Sequence, residues 1–139
     1  MIRVLPCLLT VLLWLPYTYA ADSVPSAKQF QLICMSCHKL DRSPDMVAPP
    51  IFAVKNHYLQ VFPEKTDFVK AVSAWLAEPA ADRTLMPGAL RRFKLMPPQP
   101  LPEEQRTGLA AYLFDTDFYE PGWYQEHYQQ EHGNQPPKR

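Results

Sequence analysis

The chain has 139 residues, 14 lysines and arginines against 14 aspartates and glutamates, and 16 prolines with only 4 glycines. A charge balance this near neutral gives no polyelectrolyte drive toward nucleic acid, and no motif for nucleic acid is present. Prolines at this spacing disfavour long helices and broad sheets alike, which leaves short elements joined by loops.

The chain opens with Arg3 as a short positive region, then "VLPCLLTVLLWL", then "PYTYA", which ends on small residues. That layout predicts a secretory signal over residues 1–20, cleaved after Ala20 in preference to Ala21. The apolar run is short of the roughly 20 residues that a spanning helix needs, and Pro6 and Pro16 flank it. Membrane association is therefore expected only if the segment stays attached. Cys7 sits too early in the run for a lipoprotein. Without residues 1–20 the chain is one small domain, with 13 basic and 14 acidic side chains and only Cys34 and Cys37 as cysteines.

Past the signal, "SVPSAKQFQLICMSCH" predicts a first helix, with Phe30, Ile33, Cys34 and Cys37 at three-and-four spacing. "DRSPDMVAPP" is a loop, and "IFAVKNHY" a short helix with Ile51, Val54 and Tyr58 on one face. "TDFVKAVSAWLAEP" is a stronger helix, capped by Thr66 or Asp67, striped by Phe68, Val72, Trp75 and Leu76, and stopped by Pro79. Residues 80–101 read as irregular. "PEEQRTGLAAYLFDTDF" is the last strong helix, with Pro102 in its first turn, acidic Glu103 and Glu104 at the positive end of the dipole, and Leu109, Tyr112 and Leu113 buried. The tail 119–139 is polar with aromatics interspersed, docking at most a helical turn through Trp123, Tyr124 and Tyr128 before fraying after Gly133. Nothing reads as strand, so the fold class is all-α.

The motif that carries chemistry is "CMSCH", Cys34 to His38. A zinc site needs about four ligands, and His57, His127 and His132 are not spaced as a partner pair. His57 reads as a surface or half-buried residue, with haem ligation as the lesser alternative. A thiol–disulfide oxidoreductase using Cys34 and Cys37 expects strands alternating with helices around the motif, and it leaves His38 unexplained. A structural disulfide leaves the same gap. Covalent haem uses every residue: two thiols add to the two vinyl groups, and the adjacent imidazole becomes the first axial ligand. That reading demands a second ligand or an open site. Met96 in "LMPP" offers a thioether, with Met86 in "MPG" as the competitor. Core packing is the ordinary role of a methionine, and Met35 and Met46 are assigned to it or to the surface.

With "CMSCH", "MVAPP" and "MPPQPLPEEQRTGLAAYLF" in this order, the chain resembles a small bacterial class I cytochrome c over about residues 29–118. The resemblance implies a signal peptide (1–20), a cytochrome c domain (21–118) of short helices and proline-rich loops around one covalently attached haem c, and a polar C-terminal extension (119–139). It implies that the Pro49 carbonyl holds the ligand His38, with Ala48 where the family often has glycine. It also implies that Met96, ahead of the last helix, is the sixth ligand, and that the first and last helices cross, bringing Phe30 against Tyr112 edge to face. Phe52, Trp75, Leu85, Phe93 and Leu95 are candidates to line the haem. Arg91, Arg92 and Lys94 form a solvated basic patch or pair with the propionates or an acidic partner. The implied function is a periplasmic carrier of single electrons between redox partner proteins, with no enzymatic activity of its own. The alternatives are a haem subunit of a periplasmic oxidoreductase complex, or a high-spin haem that binds a small molecule.

Overall fold

The computed structural model describes residues 26–137; the expected signal at 1–20 lies outside them. Among the described residues there are six α-helices and no strand: α1 (Ser26–Ile33), α2 (Ile51–Val61), α3 (Lys65–Ala77), α4 (Pro87–Phe93), α5 (Glu103–Asp115) and α6 (Gly122–His132), with one 3₁₀ turn at Ala81–Arg83. The all-α expectation holds. No helix among these residues is long and apolar enough to cross a membrane.

The main core forms where α3 packs along α5, with α1 against α5 and α2 against α3. Phe68, Val72 and Leu76 recur every fourth residue, so one stripe of α3 meets Leu109, Ala110, Leu113 and Phe114 of α5. The Phe68 and Phe114 rings meet edge-on at 5.2 Å. Phe30 reaches this core from α1 and is 2 % exposed. It meets Tyr112 at 4.9 Å with the planes tilted by 47°, so the expected pair forms, tilted and not edge-on. Phe118 lies on the same ring at 5.8 Å.

Several boundaries differ from the sequence reading for local reasons. α3 starts at Lys65 with Glu64 at its N-cap and no side-chain cap bond. Thr66 and Asp67 therefore lie inside the first turn, where Asp67 still complements the helix dipole. Pro102 is the N-cap of α5 and not a first-turn residue. Within 80–101, expected to be irregular, Pro87 fixes the first turn of α4, which has no fully buried residue. α4 ends at Lys94, whose backbone adopts φ 69° and ψ −175°. The chain then runs extended, pinned by the Gln99 N–H donating to Leu76 O at 2.8 Å.

The extension is more structured than a single turn. α6 buries Tyr124 and Tyr128, one turn apart, against Phe52 and Ala53 of α2. Tyr124 meets Phe52 edge-on at 4.8 Å. This second cluster covers a flank of α2 that a one-faced helix would leave in water, and it explains why Lys55, Asn56 and His57 are buried. Each has a partner: Lys55 Nζ donates to Thr116 O at 2.7 Å, Asn56 Nδ2 to Glu120 Oε1 at 2.6 Å, and His57 Nδ1 to Ala53 O at 2.7 Å. α6 ends at Gly133, whose φ of 71° is the left-handed conformation that glycine supplies without a Cβ clash.

Candidate functional site

"CMSCH" begins directly after α1 and continues its winding as turns. The Cys34 N–H donates to Phe30 O at 2.8 Å and the His38 N–H to Cys34 O at 2.9 Å. This winding brings Cys34, Cys37 and His38 to one cavity of about 360 Å³, within the usual size range of cofactor clefts. Its other walls come from α2, α3, α5 and the segment 84–99: Ile51, Val54, Val72, Trp75, Leu76, Leu85, Phe93, Leu95, Leu109 and Leu113 among them. Of the candidate lining residues, Trp75, Leu85, Phe93 and Leu95 face this cavity. Phe52 does not. It belongs to the α2–α6 cluster, because α2 carries apolar groups on two flanks and Phe52 is on the flank that α6 covers.

His38 Nδ1 lies 2.8 Å from the Pro49 carbonyl oxygen. A carbonyl can only accept, so Nδ1 carries the proton and donates it. Burial holds the His38 imidazole below its ordinary pKa, opposed by the Pro49 bond. The neutral ring therefore keeps its lone pair on Nε2. Ala48 and Pro49 both line the cavity, and with alanine at position 48 the Pro49 carbonyl lies in reach of the ring.

Met96 and Met86 both line the cavity, but in different company. Met96 packs against the main core, whereas Met86, the N-cap of α4, packs against the α2–α6 cluster. The basic run is divided. Lys94 lies at this cavity, while Arg91 and Arg92 line a second hollow between α2, α4 and α6.

Cys34 is half-buried and Cys37 exposed. Burial pushes the Cys34 thiol up to about 11, the opposite of the lowered pKa that activates the nucleophile of a dithiol enzyme.

His57 is neither at the surface nor at this cavity. It is buried on α2 and lines the second hollow, where its Nε2 lies 3.0 Å from Nε2 of His132. The pair is not legible as spacing in the sequence because these two histidines lie 75 positions apart; only the docking of α6 on α2 joins them. No family model matches the chain, and no curated protein and no solved structure matches it either.

Proposed function

We propose that the chain is an exported monohaem cytochrome of the class I type, which passes single electrons between protein partners. One observation carries the reading: His38 donates from Nδ1 to the Pro49 carbonyl at 2.8 Å, while Cys34, Cys37 and Met96 line the same apolar cavity. The residues fit the group in number and chemistry. Cys34 and Cys37 supply two thioether bonds, and His38 a neutral Nε2 whose ring is oriented by an outer partner. Met96 supplies a soft thioether, which favours the reduced state of iron.

Haem bound there supplies reversible one-electron exchange at its iron. The protein's part would be to exclude water and to offer His38 and Met96 as the two ligands of the iron. Trp75, Leu76, Leu109 and Leu113 make the wall apolar, which favours the less charged state. Were His38 and Met96 both to hold the iron, no coordination position would be left for a substrate, so the reading is a carrier and not an enzyme. The thiol–disulfide alternative is disfavoured by the raised Cys34 thiol and by the all-helical surroundings of the motif. The folded extension favours a second reading, in which the same haem protein is a subunit of an oxidoreductase complex.

The test is covalency. Made with a haem-maturation system, the mature chain should keep haem through denaturation and acid solvent, at the mass of the chain plus one haem. Cys34→Ala or Cys37→Ala should leave one weaker attachment or none. Haem that extracts freely from the unaltered protein, or free reactive thiols in it, would refute the proposal.

A further inference from the structure

We propose that His57, Glu131 and His132 form a second metal site, for a divalent ion of the zinc and copper class, between α2 and the C-terminal helix α6. It is independent of the haem reading, sharing no ligand with it.

The ligand atoms of the three residues lie within 4.8 Å of one another. The two Nε2 atoms are 3.0 Å apart. At metal–nitrogen bonds of 2.0–2.1 Å, two imidazoles on one ion sit about 3.3 Å apart at a tetrahedral angle and about 2.9 Å apart at a right angle. The observed spacing falls between these values, so the pair needs little movement to hold one ion. In the metal-free state the contact is a hydrogen bond: His57 already donates from Nδ1 to Ala53 O, so its Nε2 accepts from His132 Nε2–H. To ligate through Nε2, His132 shifts its proton to Nδ1.

Three further features make this a built site. The backbone carbonyl on His57 Nδ1 is the outer partner that fixes the tautomer in most histidine metal sites. The Tyr128 ring lies 4.3 Å from the His132 ring and 5.6 Å from the His57 ring, which limits the orientations of both. Glu131 is exposed and reachable, with Oε2 at 3.6 Å from His127 Nε2, so a small rotation exchanges one weak partner for the ion. The site opens on the hollow lined by Arg42, Arg91 and Arg92. Those guanidinium groups are exposed and screened by water and salt, and they oppose the ion less than three direct donors attract it. Two nitrogens and one carboxylate, with room for solvent, suit zinc and copper(II) better than calcium or magnesium.

The experiment is calorimetric titration of the haem-loaded mature protein with Zn²⁺ and, separately, Cu²⁺. One ion per chain should bind saturably, copper more tightly than zinc, and zinc should raise the unfolding temperature because it binds only the folded pair. His132→Gln, at a half-buried position, should weaken zinc by roughly a hundredfold or more, the upper end of what loss of even an outer partner costs. The zinc-dependent rise in unfolding temperature should vanish with it, while the haem spectrum stays unchanged. Glu131→Gln should weaken binding by about tenfold or more, and exposed His127→Gln should leave it within a few-fold. Absence of saturable binding, His132→Gln binding as the unaltered protein does, or loss in His127→Gln alone would each overturn the site.

Discussion

His38 and Met96 differ in how firmly the surrounding chain specifies them. On the proposed haem reading His38 follows from its neighbours, since covalent attachment through Cys34 and Cys37 is the reading that uses the adjacent imidazole. Met96 depends on which thioether the segment 84–99 delivers, and both candidates line the cavity. The company that each keeps favours Met96, which packs against the main core, whereas Met86 packs against the α2–α6 cluster. Met96→Ala should therefore abolish the weak near-red absorption band of a ferric methionine-ligated haem, lower the reduction potential and admit added imidazole or cyanide, while Met86→Ala keeps the band. A band that follows Met86 moves the ligand by ten positions; a high-spin unaltered protein ends the carrier reading. Lys94 bears on the same segment. Its φ of 69° with ψ of −175° belongs to a region otherwise nearly reserved for glycine, at a cost of about 1–3 kcal/mol. This turn redirects the chain from α4 into the stretch that carries Met96. Lys94→Gly should raise the unfolding free energy by about 1 kcal/mol, the strain relieved less the entropy that glycine loses on folding. Lys94→Val should lower it, and denaturant midpoints of the two variants decide the matter.

Among the elements, α2 is legible in the sequence as a helix, but its two-sidedness is not. Ile51 and Tyr58 do face the main core, but a one-faced reading missed that Phe52 and Ala53 face the other way. Nothing in "IFAVKNHY" announces this, because burial of Lys55, Asn56 and His57 depends on Thr116 O, Glu120 and the docking of α6. α6 was hard to read for the converse reason. Its eleven residues bury only Tyr124 and Tyr128, and a helix so polar forms because α2 receives those two rings. α3 and α5 were legible, since apolar residues recurring every three or four positions bury without outside help. A prediction follows from the division into two clusters. Phe52→Ala should destabilise by about 3–5 kcal/mol, as full removal of a buried aromatic does, yet leave the near-red band intact. Phe30→Ala should cost a similar amount and disturb the haem spectrum as well, because Phe30 lines the cavity. Thermal unfolding followed at the haem band and by far-ultraviolet dichroism separates the two. If Phe52→Ala perturbs the haem band as strongly as Phe30→Ala, the clusters are not separate.

At the scale of the molecule, a chain with few glycines and many prolines builds two adjoining hollows from short helices, one apolar and one lined by histidine, arginine and glutamate side chains. The apolar one is partly legible, because Cys34, Cys37 and His38 on its wall form a contiguous motif and Met96 stands in a methionine–proline pair. The polar one is not, since it draws on residues 42–57, 85–93 and 123–132 and exists only once the tail has folded back. Pro49, Leu85, Met86, Ala89 and Phe93 form part of the wall of both.

Pro49 lies in that shared wall and Pro50 follows it in the second hollow, and the bond between them limits how far the site must rearrange. The amide of Pro50 has no hydrogen, so the link offers an acceptor to His38 and no donor that would invite a competing partner. A following proline also confines Pro49 to extended conformations, and Pro50 in turn is fixed as the N-cap of α2. The carbonyl is thus aimed before the imidazole arrives, with almost no backbone freedom left to surrender. On the proposed haem reading, an imidazole whose anchor cannot swing would need little reorientation when the charge on the iron changed, and small reorganisation is the property that makes electron exchange fast.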